Sequence, residues 1–243
     1  MQKNLYLIYA MQRSGQHAII NWMGNQLGNC KFINNAGWST VVREFGSRYG
    51  GTEDEGKCYG NATEDKFDNL IVSFENFSPK DVLDERLTDI MAQVHKKYNN
   101  VYSVIILRDP LNWLASMMKM HWRFAEYFKN HYLADVYIKQ AEEYFGNTKY
   151  LSNLVKINYN TWCTDTTYRH ELSVKLNFNE FTDEGIYTPS FTGSSFDNEI
   201  KFPNFQIFSR YKEYEGNLQF EEILQIYPRL LSIAKDEFNI EKE

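Results

Sequence analysis

Leu5-Tyr6-Leu7-Ile8-Tyr9-Ala10, then Met11-Gln12-Arg13-Ser14-Gly15, then Gln16-His17-Ala18-Ile19-Ile20-Asn21-Trp22: this run decides the fold. The first six residues are apolar without polar alternation, the pattern of a strand buried on both faces. Arg13-Ser14-Gly15 marks a turn, and residues 17–27 read as a helix. The start of a helix carries backbone N–H groups without intrahelical partners and a partial positive charge. A strand feeding through a tight turn into a helix is therefore a cradle for a phosphate-like anion. Gly15 lets the backbone approach such an anion, Ser14 adds a hydroxyl donor and Arg13 a fixed charge with several donors. His17 adds one more donor. The plainer alternative is an ordinary turn with a surface arginine. The segment is no Walker A loop, since no Gly-Lys-Ser or Gly-Lys-Thr occurs in the chain, which disfavours a nucleoside triphosphatase or an ordinary kinase.

Outward from this run, strand and helix signals alternate. Residues 69–74 (NLIVSF) form a buried-strand pattern that leads to Ser78-Pro79-Lys80-Asp81. There Ser78 suits an N-cap and Pro79 the first helical position. The helix is expected to run to about residue 98, with Val82, Leu83, Leu87, Ile90, Met91 and Val94 on one face. Residues 101–107 (VYSVIIL) are β-branched and apolar, the clearest strand. A helix from Pro110 to about residue 127, another over 134–145, a strand over 154–158 and one long amphipathic helix over 220–238 complete the expectation. Strands separated by helices imply βαβ units. The expected fold is one three-layer α/β domain over residues 1–243, a mainly parallel sheet with helices on both faces and a P-loop-like cradle. Ligands in such folds sit at the carboxyl ends of the strands. Residues 34–68, rich in Gly, Asn and charge, read as an irregular excursion of the kind that usually carries function.

Composition narrows the function. The length of 243 residues suits one α/β domain, and 43% hydrophobic residues suit a full core. Aromatic residues reach 16%, with 17 Tyr and 17 Phe, which fits ring-filled packing and, alternatively, a stacking surface for a base or sugar. A net charge of −6 argues against a nucleic-acid partner, which requires a basic face. Cys30, Cys58 and Cys163 contain no Cys-x-x-Cys pair and read as reduced thiols, with no metal site. Neither a leader pattern nor a run of about 18 apolar residues is found. The expected location is cytoplasmic, where the sequons at Asn61 and Asn76 are without consequence.

A second anion motif follows the clearest strand: Arg108-Asp109-Pro110-Leu111-Asn112-Trp113-Leu114-Ala115-Ser116. Arg108 ends the strand at the ligand edge, Pro110 opens a helix, and Ser116 lies two turns along it, placed to share one side of a pocket with Arg108. Arginine, serine and open backbone donors bind anions strongly.

In type, order and strand-to-helix context, YAMQRSGQHAII followed by VIILRDPLNWLASMM resembles the sulfotransferases that use 3′-phosphoadenosine 5′-phosphosulfate (PAPS). In that family a first loop of the R/K-S-G-T-T kind holds the 5′-phosphosulfate and a later R-D/N-P…S segment grips the 3′-phosphate. The resemblance implies that Arg13 bridges the phosphate and the leaving sulfuryl oxygen. It implies too that Ser14, Gly15, Gln16 and His17 cradle the 5′-phosphate, and that Arg108 and Ser116 bind the 3′-phosphate. Residues 154–162 (LVKINYNTW) are similar to a later strand of the family. Thr192-Gly193-Ser194-Ser195-Phe196 with Arg210 is similar to a loop that closes over the nucleotide, which makes Ser194, Ser195 and Arg210 candidate helpers. This chain departs from the pattern at Gln16-His17, where threonines are usual.

Sulfuryl transfer requires alignment, charge on the leaving phosphate and a proton acceptor. Arginine supplies the charge, so no metal is expected; PAP would be the product. For the base, Glu75 in Glu75-Asn76-Phe77-Ser78-Pro79 resembles the Glu-Lys-x-Pro region of glycan sulfotransferases, with Asn76 in place of Lys and one extra residue before Pro79. A solvated carboxylate near a helix start is the plainer reading of Glu75, and His121 is the reserve candidate. The implied acceptor is a hydroxyl or amine, with a lean towards carbohydrate. A P-loop-like kinase or nucleotide phosphotransferase and a non-catalytic nucleotide-binding protein of the same fold are the competing readings.

Overall fold

The computed structural model describes residues 3–34, 67–83, 96–119, 132–178, 180–183 and 208–242. Five strands form one sheet: β1 (Asn4–Ala10), β2 (Cys30–Ile33), β3 (Asn69–Glu75), β4 (Asn100–Leu107) and β5 (Leu154–Asn158). Their order is β2-β3-β1-β4-β5 and every pairing is parallel. The expected α/β class, with its parallel sheet between helical layers, is what the chain forms.

The apolar run of β1 explains its central place. Tyr6, Ile8 and Ala10 point into one layer and Leu5, Leu7 and Tyr9 into the other, all at most 4% exposed. A strand without polar alternation needs cover on both faces. The first layer is supplied by α1 (Gln16–Leu27), through Ile19, Ile20, Trp22 and Met23, with α4 (Tyr159–Thr164) and α5 (Thr166–Lys175). The second is built from α2 (Pro110–Met118), α3 (Tyr132–Phe145), α6 (Leu218–Ile226) and α7 (Pro228–Phe238).

Register is pinned at the amino ends by a row of amides. Asn4 lies opposite Asn69 and Asn100. Its Nδ2 donates to Asn69 Oδ1 at 2.9 Å, and Asn100 Nδ2 donates to Asn4 Oδ1 at 2.9 Å. A one-residue slip would break both bonds and turn every apolar side chain of β1 to the wrong layer.

Three expectations change. The short edge strand β2 lies where no strand was expected, with only Phe32 and Ile33 well buried. The closing helix expected over 220–238 is two helices, broken at Tyr227, with Pro228 opening α7. Proline has no N–H for the ladder and pushes the preceding residue out of the α region; Tyr227 sits at φ −118°, ψ 67°. Pro79 opens a 3₁₀ turn, Pro79–Leu83, in which Asp81 accepts from the Ser78 N–H at 3.1 Å. The rest of the expected helix after it falls largely outside the described residues, as do residues 120–131, most of 34–68, and Cys58. Cys30 and Cys163 are free thiols. Among the described residues, no helix is long and apolar enough to cross a membrane.

The chain leaves β1 for β2 and β3 on one side, then crosses to β4 on the other. In such sheets ligands sit beside this reversal, at the carboxyl ends of the strands on either side of it, here β1 and β4. The two anion motifs end these two strands.

Candidate active site

After Ala10 the backbone turns sharply, with the Ser14 N–H donating to Met11 O at 3.1 Å. Arg13 and Gly15 both adopt left-handed conformations, φ 67° and φ 86°. α1 then starts with no side-chain cap and no acidic residue in its first turn, so nothing in that turn offsets its positive end. Gly15 is needed twice over. A Cβ there would overlap the ring of Tyr159, the first residue of α4, and the backbone conformation itself disfavours a side chain. Gly15→Ala is expected to lower unfolding free energy by about 1–2 kcal/mol through the backbone alone, with the ring displacement added. A denaturant melt matching that of the parent would contradict this.

The second motif meets the first directly. Arg108 Nη1 donates to Arg13 O at 3.0 Å, and Arg13 Nε donates to Ser116 Oγ at 3.3 Å. Trp113 Nε1 donates to Gln12 O at 3.0 Å. Arg108 also lies 5.5 Å from the centroid of the Tyr159 ring, a cation–π distance. Ser116 and Arg108 are linked through Arg13, which bonds to each of them. Desolvation and the neighbouring Arg108 both weaken Arg13's hold on its proton, with Glu75 opposing. Two arginines brought together in a largely buried place favour an anion.

Arg108 is 5% exposed and fixed from behind. Its carbonyl accepts from Tyr137 Oη at 2.6 Å, and Tyr137 stacks on Trp113 at 4.7 Å. Asp109 caps α2, accepting from Asn112 N at 2.8 Å, and its other oxygen accepts from Asn160 Nδ2 at 3.0 Å. Full burial raises the Asp109 carboxyl above its usual range, against the pull of Arg108 and these hydrogen bonds. Asn112 in turn donates to Phe208 O at 2.8 Å and accepts from Tyr211 N at 3.2 Å. That brings in the 3₁₀ turn Arg210–Tyr214, whose Arg210 is 6% exposed and close enough to act electrostatically on Tyr159.

Glu75 ends β3 beside the cradle. Gln16 Nε2 donates to its Oε1. The next residue, Asn76, is left-handed at φ 57°, with its N–H on Ala10 O at 3.0 Å and its Oδ1 accepting from Gln12 N at 2.9 Å. His17 turns to Asn34 Oδ1 at 3.2 Å, which also accepts from Ser73 Oγ at 3.3 Å.

Thus Arg13, Ser14, Gly15, Gln16, His17, Glu75, Arg108 and Ser116 gather at one end of the sheet, with Arg210 close by. Ser194, Ser195 and His121 lie outside the described residues. Trp113, Tyr159 and Asn112 are contributors that residue type alone did not single out. Only the position of Tyr159 directly after β5, in the stretch LVKINYNTW, pointed towards it.

One atom tests what the cradle fits. Ser14 is 2% exposed and its Oγ has no hydrogen-bond partner among the described residues. Buried hydroxyls are normally satisfied; a phosphate oxygen at the start of α1 would satisfy this one.

Solved structures similar to this chain include two sulfotransferases. A sulfotransferase from Alicyclobacillus acidocaldarius aligns at TM-score 0.48 and 14% identity, over 100% of this chain and 98% of that one. The sulfotransferase domain of the Synechococcus PCC 7002 olefin synthase aligns at TM-score 0.44 and 10% identity, over 89% and 96% respectively. No family model and no curated protein matches the chain.

Proposed function

We propose that the protein transfers a sulfuryl group from PAPS to a hydroxyl or amine acceptor, a carbohydrate hydroxyl being favoured. The observation that carries this reading is the direct contact between the two anion motifs, Arg108 on Arg13 O and Arg13 on Ser116. One ligand with phosphates at both ends would engage both motifs, and PAPS is such a ligand.

In this reading the start of α1 and Ser14 hold the 5′-phosphosulfate, while Arg108 and Ser116, with Arg210 near, hold the 3′-phosphate. Glu75 accepts the proton of the acceptor hydroxyl as its oxygen attacks sulfur. The sulfur–oxygen bond to the 5′-phosphate breaks in line, and the electron pair leaves on that phosphate oxygen. Arg13 and the α1 amides neutralise the growing charge. Such a transfer is mostly positioning and electrostatics, comparable to phosphoryl transfer through a loose transition state.

The test is transfer of labelled sulfate from PAPS to pooled carbohydrates, phenols, lipids and peptides. Label in the carbohydrate pool is the expected result. PAP binding without transfer to any pool would make the protein a non-catalytic nucleotide binder. Stabilisation by ATP with Mg²⁺ and none by PAP would make it a phosphotransferase.

A further inference from the structure

Two of the positions at which this chain departs from the pattern it resembles, Gln16 and Asn76, converge on Glu75. Asn76 ties the end of β3 to the cradle loop through Ala10 O and the Gln12 N–H, which fixes the backbone that carries Glu75. Gln16 reaches across from the first turn of α1 and donates its amide to Glu75 Oε1. An ionised carboxylate only accepts, so the amide must face it with nitrogen. That orientation leaves Gln16 Oε1 buried with no hydrogen-bond partner among the described residues, on a side chain only 1% exposed. An unsatisfied buried acceptor is costly, and a methionine of similar length would avoid it. The glutamine makes sense where its N–H is required by a charge.

We infer that Gln16 is the positioning residue of Glu75, holding the carboxylate ionised and fixed in direction so that it can take the acceptor's proton. This rests on the reading of Glu75 as the base. Arg13 is the charged neighbour of Glu75 from the loop and favours the same ionised form. His17, the next residue of α1, is engaged with Asn34, and Tyr132 of α3 donates to the Asn76 carbonyl. Arg13 remains when Gln16 is replaced, so part of the effect persists.

The experiment follows the Glu75 side chain by carbon-13 NMR titration of the full chain, with the pH profile of kcat/KM for PAPS alongside. Gln16→Met removes the donor at nearly constant length. The titration midpoint of Glu75 should rise by about one to two pH units, the scale of a lost hydrogen bond to a charged group. The acid limb of the rate profile should move upward with it. Gln16→Glu, which sets a second carboxylate against the first, should move the midpoint further in the same direction. It keeps the test alive should Gln16→Met not fold. A Glu75 midpoint equal in parent and variants overturns the inference, even when activity falls evenly across pH. A midpoint that moves in a protein whose parent form transfers no sulfate supports the link between Gln16 and Glu75 and overturns the reaction assigned to them.

Discussion

Glu75→Gln should lower sulfate transfer by about 10²–10⁴-fold, the range of a lost general base, while PAP still binds. The substitution is nearly isosteric, and glutamine can still meet the Gln16 amide, so the carboxyl end of β3 should keep its shape. What disappears is the group able to take a proton. Glu75 is also the charge that opposes Arg108 in its effect on Arg13. Removing it leaves the cradle more positive, so PAP affinity should hold or improve slightly by calorimetry. Two results would count against this assignment: turnover at the parent rate, or loss of PAP binding together with activity.

Arg108→Ala should weaken PAP binding by about 1.5–3 kcal/mol, the scale of a lost hydrogen bond to a charged group. That is roughly tenfold to a hundredfold in Kd. The guanidinium does two jobs. It holds the Arg13 carbonyl at 3.0 Å, shaping the loop, and it lies over the Tyr159 ring. Arg108→Lys separates charge from shape: it keeps the cation but loses the planar fork, so its affinity should fall between parent and alanine. PAP affinity untouched by Arg108→Ala, in a variant with a native melt, would remove Arg108 from the ligand and with it the 3′-phosphate pocket.

The parts legible in the sequence share one property, that their signal is local. β1, β3, β4 and β5 are apolar runs bounded by turn residues, and each forms within a residue of the expected limits. Arg13 and Arg108 were legible as candidates because each lies between such a run and a helix start. β2 was not: four residues, Cys30-Lys31-Phe32-Ile33, carry too little pattern, and an edge strand draws its order from its neighbour β3. The closing helix failed differently. Its apolar period continues across residue 227, but the backbone cannot, and Pro228 was the available warning. The pairing of Gln16 with Glu75 spans 59 positions, and that of Trp113 with Gln12 spans 101. Neither has a local signal, because only the parallel pairing of β1 with β3 and β4 brings those ends together.

The contact between Gly15 and Tyr159 has a consequence for how such a chain can drift. The bare backbone at 15 and the ring at 159 fill one shared volume, although 144 positions separate them in the chain. A descendant that gains a side chain at 15 must give up the ring at 159. It would then lose the aromatic floor beneath Arg108 as well. The order of change is therefore constrained: loss of the ring at 159 makes room at 15, whereas a side chain gained at 15 while the ring is in place collides with it.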